Sequence, residues 1–154
     1  MRVLLVLALL VTMSCSKSSD PLDNFANNDV QINVLSSTGV NTAFSFHGVN
    51  APMYMSSGIY GVSRFQCECK ISSNDRKFIF AVNQNDPTNT VVSCLYYPGG
   101  SNPNSYSTDQ TSNPATIHFT SFSNHYAEGN FIARCKQLND SVLVTGTFKG
   151  YYNE

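Results

Sequence analysis

The stretch RFQCECKI, residues 64–71, alternates polar and apolar side chains at every position. Every second residue from Phe65 to Ile71 is apolar, and this apolar set includes Cys67 and Cys69. A repeat of two indicates a β-strand, because successive side chains of a strand point to opposite faces of the sheet. The stretch therefore predicts a strand with one face in a core and one polar face toward solvent.

The same alternation recurs about every dozen residues, and Asn, Asp, Gly and Pro lie between the segments. No segment has a sustained helical period of apolar residues. This pattern predicts an all-β fold, an antiparallel β-sandwich, with a curled sheet or a lipocalin-like β-barrel as the alternative. The predicted strands are residues 30–37, 40–49, 52–55, 61–72, 77–83, 90–97, 114–123, 129–137 and 141–152, with a further short strand around Tyr106.

The inward-facing rows of these strands form the predicted core. Burial of one Phe or Val side chain contributes about 1.5–3 kcal/mol. Gly146 and Gly150, inside the last predicted strand, indicate bulges or bends that help the sheet to curl. The predicted core residues are Phe44, Phe46, Phe65, Cys67, Cys69, Ile71, Phe78, Phe80, Val92, Cys94, Ile117, Phe119, Phe131, Ala133, Cys135, Val142, Val144 and Phe148.

The first residues have the features of an export signal: Arg2, an apolar run over residues 3–10 and the small Ser14 before Cys15. The run is about half of the roughly 20 residues that a membrane-spanning helix needs. We predict a signal peptide over residues 1–14 and a diacylglyceryl group, carrying fatty acids such as palmitate, on the Cys15 sulfur. Cleavage by an ordinary signal peptidase, without lipid, is the alternative. Residues 15–28 then form a flexible tether to the membrane lipid, and residues 29–154 form a single all-β domain.

Four cysteines lie beyond this region: Cys67, Cys69, Cys94 and Cys135. An even number of cysteines in an exported domain predicts two disulfides. Cys67 and Cys69 share one face of a strand, with Cα atoms roughly 6.6 Å apart and parallel Cβ bonds, which is poor geometry for bridging each other. Their predicted partners are therefore Cys94 and Cys135. A four-cysteine zinc site and buried free thiols are the alternatives.

Composition and motifs narrow the kinds of function. The formal net charge is −1 and only 12% of residues are charged, without the basic stripe that the phosphates of nucleic acid require, so we predict no nucleic-acid partner. The sequence has no G-x-S-x-G, H-E-x-x-H or phosphate-binding glycine motif, and we predict no catalytic residue, metal site or cofactor. One alternative is a small hydrolase that uses Glu128 with Asp109. A metal site of His47, His118 and His125 would require separate strands to meet.

Residues 98–114 form a long connection that is rich in turn-forming residues. A connection of this length without its own structure is uncommon in a compact domain, and it is either a solvated loop or a recognition loop. A recognition loop would offer tyrosine rings and asparagine amides to a sugar or a peptide. The candidate ligand-binding residues are Tyr96, Tyr97, Asn102, Asn104 and Tyr106.

The segment ATIHFTSFSNHYAEGNFIARCKQLNDSVLVTGTFKG, residues 115–150, contains an I-x-F-T-x-F strand, a G-x-F strand and a final G-T-F-x-G strand. With the lipidation-type start and the polar tether, the chain resembles a family of small exported lipoproteins common in Bacteroidetes, whose members have no assigned function. The resemblance implies an antiparallel β fold at the cell envelope and no catalytic residues.

These features predict an envelope lipoprotein with a non-enzymatic module that binds a ligand or serves a structural or accessory role. Its partners would be membrane lipid, through Cys15, and a glycan, a peptide or an envelope protein, on either side of the outer membrane. A further alternative is a secreted, disulfide-bonded factor without lipid, in which Asn139 of the N-D-S sequence is glycosylated.

Overall fold

The computed structural model describes residues 25–57, 63–71, 76–83, 92–99, 105–108 and 115–154. Ten strands and a short 3-10 turn, Gly48–Asn50, lie within these ranges. Each strand corresponds to one of the predicted segments. The strands are β1 Asp29–Ser36, β2 Asn41–His47, β3 Met53–Ser57, β4 Ser63–Ile71, β5 Arg76–Asn83, β6 Val92–Tyr97, β7 Tyr106–Thr108, β8 Thr116–Ser123, β9 Tyr126–Gln137 and β10 Asp140–Asn153.

The strands are hydrogen-bonded into one sheet in the order β2-β1-β10-β3-β4-β5-β6-β7-β9-β8, with β10 also paired to β9. All pairings are antiparallel except that of β10 with β3. The all-β, mostly antiparallel fold is confirmed. Because β9 pairs directly with β10, the first layer has the order β2-β1-β10-β9-β8, and β3-β4-β5-β6-β7 form the second layer.

The two longest strands join the layers at both corners. One edge of β10 pairs with β1 over residues 142–149 and then with β3 at Tyr152 and Asn153. One edge of β9 pairs with β8 over residues 126–132 and then with β7 at Cys135 and Lys136. Each long strand therefore belongs to the first layer along most of its length and bonds to the second layer at one end.

The hydrophobic core fills the space between the layers. The Phe80 ring of β5 stacks on Phe131 of β9 with centroids 4.5 Å apart, and Phe148 of β10 lies 5.2 Å from the same ring. Phe46 of β2 meets Phe78 of β5 at 5.7 Å. Such aromatic pairs add about 0.5–1.5 kcal/mol beyond the area that they bury. The predicted inward rows are buried, with Phe44, Ile71 and Phe119 half-buried at the rim of the core, whereas the Val92 side chain is outside the described part.

The packed domain extends further toward the N-terminus than the sequence predicts. Phe25 is buried and its ring meets Tyr54 edge-on at 6.3 Å. Asn28 is 2% exposed, and its amide bonds to two other segments of the chain. Residues 25–28, assigned to the tether from sequence, are therefore part of the folded domain.

Of the bulges or bends predicted at Gly146 and Gly150, the bulges are not present. The register of β10 with both neighbours runs through Gly146 without interruption, and with β9 it continues past Gly150. A Cβ atom at Gly146 would lie 2.6 Å from the Gln31 carbonyl oxygen and from the Phe131 ring. The side chain is absent there because the neighbours pack too closely. The irregularity in register lies instead in β8, between Phe119 and Ser121.

The four described cysteines are buried free thiols, and the predicted disulfides are not present. Cys67 and Cys94 each pair with Phe80 from opposite sides in the sheet, so their Cα atoms are separated by about two strand spacings, roughly 9.6 Å, beyond the reach of a disulfide. The Cys67 and Cys69 sulfurs are 3.7 Å apart on one strand, and the Cys135 thiol donates to the Cys94 carbonyl oxygen at 3.9 Å. The thiols pack as small apolar side chains.

The described residues contain no helix that is long and apolar enough to cross a membrane.

Candidate functional site

The outer face of the first layer carries mostly polar side chains that the strand register aligns in rows, with Leu35 and Ile132 as exposed apolar exceptions. One row runs from Asp29 on β1 through Lys149 on β10 to Glu128 on β9. Gln31, Thr147 and Asn130 make up the next row, and Asn33, Thr145 and Ile132 follow. Strand alternation places the apolar partners of these residues in the core, so the same three strands present a hydrophilic surface outside.

A groove runs along β10 at Thr145 and Thr147, because these side chains are shorter than those of Gln31, Asn33 and Asn130 beside them. Thr145 and Thr147 form the floor, Gln31 and Asn33 line one wall, and Asn130 lines the other. Two adjoining hollows of about 280 and 270 Å³ share Thr147 and Asn130. The first hollow extends to the Asp29–Lys149–Glu128 row. We call this feature, lined by residues of β1, β10 and β9, the β10 groove.

The β1 wall is held by a chain of hydrogen bonds. The Ser45 hydroxyl donates to Gln31 Oε1 at 2.5 Å, and Gln31 Nε2 donates to Asp29 Oδ1 at 2.9 Å. Asp29 Oδ1 also lies 3.0 Å from His47 Nδ1, and Asp29 Oδ2 lies 4.0 Å from Lys149 Nζ. These contacts fix the Gln31 amide and the Asp29 carboxylate before any ligand arrives, which lowers the entropy cost of binding.

An exposed tyrosine lies beyond Lys149 at one end of the groove. Tyr151 is 45% exposed, and its ring contacts that of Tyr126 edge-on with centroids 5.4 Å apart. The Tyr126 hydroxyl donates to Glu128 Oε2 at 3.1 Å. Partial burial and this hydrogen bond raise the pKa of Tyr126, so the hydroxyl keeps its proton. The end of the groove thus combines a partly exposed tyrosine with a hydrogen-bonded carboxylate.

Two of the candidate ligand-binding tyrosines face the core. Tyr96 is buried and stacks on Phe78 with centroids 4.7 Å apart. Tyr106 is buried and donates its hydroxyl to Asp140 Oδ2 at 2.7 Å. Their alternation faces the core, so neither ring offers its face to a ligand. Tyr97 is half-buried at the end of β6, whereas Asn102 and Asn104 are outside the described residues.

Of the two residues of the hydrolase alternative, Glu128 is described and Asp109 lies outside the described ranges. Glu128 is exposed on the wall of the β10 groove. Asp29 lies on the opposite wall of the groove, and its Cα atom is about two strand spacings, roughly 9.6 Å, from that of Glu128. Sequence reasoning missed Asp29, although its outward position follows from the alternation of β1 once Val30 and Ile32 are assigned to the core.

The three histidines do not converge. His47 contacts Asp29 on the outer face, His118 pairs with Asn130 in the ladder, and His125 lies in the turn between β8 and β9. No three His, Cys, Asp or Glu side chains of the described residues come together where they could hold a metal ion.

Two predicted modification sites stand apart from the groove. Cys15 and the predicted signal peptide are outside the described residues. Asn139 is exposed in the two-residue turn, Leu138 and Asn139, that joins β9 to β10.

No protein-family model, no curated protein and no solved structure matches this chain.

Proposed function

We propose that this protein is an exported lipoprotein, tethered through Cys15, whose β domain is a non-enzymatic binding module with the β10 groove as its ligand site. The observation that carries the proposal is the polar groove itself. Its walls present amides and carboxylates, its floor presents threonine hydroxyls, and hydrogen bonds already fix one wall. Placed polar groups in a concave surface fix the orientation and specificity of a ligand, and preorganisation lowers the cost of binding it.

The position of the groove is compatible with a membrane tether. The chain enters the domain at Phe25 and Asn28, and Asn28 bonds to the main chain of Tyr151 near the end of β10. β10 has 14 residues, so the turn at the opposite end lies about 45 Å away at roughly 3.3 Å per residue. The lined part of the groove, from Thr145 to Lys149, lies in the middle of β10 between these ends. The described chain therefore enters the domain beside one end of the groove, at Asp29, and not across its floor.

A substitution on the floor of the groove tests the binding proposal. Thr147→Gln would fill the groove with a longer, uncharged side chain while keeping the strand exposed and polar. We expect at least a tenfold loss of affinity, equivalent to about 1.4 kcal/mol, for any glycan or peptide retained on arrays by the full-length protein. Thr42→Gln, on the exposed part of β2 outside the groove, is the matched control. Empty arrays, or equal binding by both variants, would contradict the proposal.

The tether is tested by the intact mass of the mature protein from bacterial membranes. We expect the chain to begin at Cys15 with a diacylglyceryl group, and Cys15→Ser to release the protein from the membrane fraction because a single serine holds no acyl chains. A native N-terminus at another residue, without lipid, would refute the tether and leave the groove to be tested alone.

A further inference from the structure

We infer that the β10 groove recognises an uncharged oligosaccharide that lies along β10, with a terminal sugar against Tyr151. This inference rests on the proposed binding function and adds the chemical class of the ligand.

The charges of the groove disfavour anionic ligands. Asp29 stands on one wall and Glu128 on the other, with Lys149 as the single ammonium group among the lining residues. Lys149 Nζ is already 4.0 Å from Asp29. A phosphate, sulfate or uronate would approach a carboxylate on either side, and like charges at such distances repel. The groove is therefore better suited to a ligand without formal charge.

The uncharged polar side chains of the groove can form hydrogen bonds with the hydroxyl groups of a sugar. A threonine hydroxyl donates one hydrogen bond and accepts others, and an amide does both through separate atoms. Thr145 and Thr147 on the floor and Asn130 on the wall offer these groups, with the Asp29 and Glu128 oxygens as further acceptors. A sugar hydroxyl also donates and accepts, so each hydroxyl of a sugar ring can be satisfied. The alternation of donors and acceptors favours a polyhydroxylated ligand.

An extended peptide fits this surface less well. Peptides that bind sheets usually add a strand to a free edge through main-chain hydrogen bonds. The main chain of β10 is already paired on both sides of the groove, with β1 over Val142–Lys149 and with β9 over Asp140–Tyr151. A peptide would have to bind through its side chains alone. Ile132 on β9 and Leu35 on β1 are the exposed large apolar side chains near this end of the face, and neither lines the two hollows of the groove.

Tyr151 provides an apolar contact for a sugar ring in addition to the hydrogen bonds. A sugar ring has an apolar C–H face, and an aromatic ring with one exposed side can cover such a face while its hydroxyl stays in water. Tyr151 is 45% exposed and is steadied by Tyr126 at 5.4 Å. From Thr145 to Lys149 the strand rises about 13 Å, a length suited to a short oligosaccharide rather than a single sugar.

The experiment measures binding of the full-length protein in detergent to three sets of probes. These are neutral oligosaccharides of glucose, mannose, galactose and N-acetylhexosamine, their sulfated and uronate counterparts, and extended polar peptides. We expect binding to members of the neutral set, with an affinity that salt does not change, because no charge pairing contributes. Asn130→Ala and Tyr151→Ala should each weaken it about tenfold, the effect of losing one good contact. Thr42→Gln should bind as the wild type does, and urea midpoints will verify that every variant is folded.

The other outcomes contradict the ligand class, the position of the site or the binding function itself. Binding to charged glycans that Thr147→Gln abolishes would overturn the uncharged character of the ligand, and such binding to peptides would overturn the sugar class; either result would leave the binding function intact. Neutral-glycan binding that is unaffected by Asn130→Ala and Tyr151→Ala in folded protein would place the ligand elsewhere and overturn the inference. No binding to any probe set would overturn the proposed function together with the inference.

Discussion

At the scale of single residues, Asn28 is the buried polar side chain that closes one end of the domain. Its amide nitrogen donates to the carbonyl oxygens of Ala51 at 2.9 Å and Tyr151 at 3.1 Å. Its oxygen accepts the Tyr151 N–H at 2.8 Å. Gly150 lies directly against the Asn28 side chain, in space that no Cβ atom could share. One asparagine therefore links the start of β1, the segment before β3 and the end of β10.

Asn28→Ala tests this role. We expect a loss of about 2–4 kcal/mol in the free energy of unfolding, because three hydrogen bonds disappear and buried main-chain groups are left without partners. Urea denaturation followed by tyrosine fluorescence measures the change. Asn27→Ala is the control, since Asn27 is exposed beside it and should change stability by less than about 0.5 kcal/mol. Equal stability of the two variants would show that Asn28 does not hold the end together.

At the scale of elements, Asp140 connects three of them. It begins β10 and accepts hydrogen bonds from the Tyr106 hydroxyl of β7 at 2.7 Å, from the Ser37 hydroxyl after β1 at 2.7 Å and from the N–H of Ser141 at 2.8 Å. The bonds from Ser37, Tyr106 and Ser141 lower the pKa of Asp140. The bond to Asp140, followed by burial, raises the pKa of Tyr106 from 10.0 to about 12.

The two shifts predict a stability that falls at both extremes of pH. Because the pKa of Asp140 is lowered by folding, its contribution is present above the ordinary aspartate pKa of about 4 and is lost as pH falls through the folded value. Because the pKa of Tyr106 is raised, its contribution is present below 10.0 and is lost as pH rises through about 12. We expect Asp140→Asn to flatten the acid limb and Tyr106→Phe the alkaline limb in urea titrations. Unchanged limbs would refute the coupling; Tyr97→Phe is the control.

The alternation of polar and apolar residues was enough to predict the strands, but it does not predict which strands pair in the sheet. RFQCECKI and its counterparts carry their inward rows in the sequence, and each became a strand. By contrast, Asp29 and Lys149 are neighbours only because β10 lies between β1 and β9, a register that no local pattern encodes. The groove was missed for this reason. Tyr96 and Tyr106 were predicted to bind a ligand because they are aromatic residues beside a polar loop. Their positions in β6 and β7 instead place both rings in the core.

At the scale of the whole molecule, the core contains the thiols of Cys67, Cys69, Cys94 and Cys135. Burial, with the Cys69 hydrogen bond, raises the pKa of Cys67, and the Cys135 hydrogen bond, with burial, raises that of Cys94. A thiol that keeps its proton and is out of reach of solvent reacts slowly. We expect all four to resist alkylation in the folded protein and to react together when urea unfolds it, with no effect of prior reduction on the mass. Labelling that requires a reductant would show disulfides instead.

The strand that occupies the middle of the first layer, β10, is also the last strand along the chain. It pairs with β9, β1 and β3, and its pairing with β1 joins residues more than a hundred positions apart in sequence. Closing a loop of that length costs chain entropy before any new contact offsets it. The hairpins of the other strands join residues much closer in sequence, so the entry of β10 between β1 and β9 should be the step that limits the rate of folding.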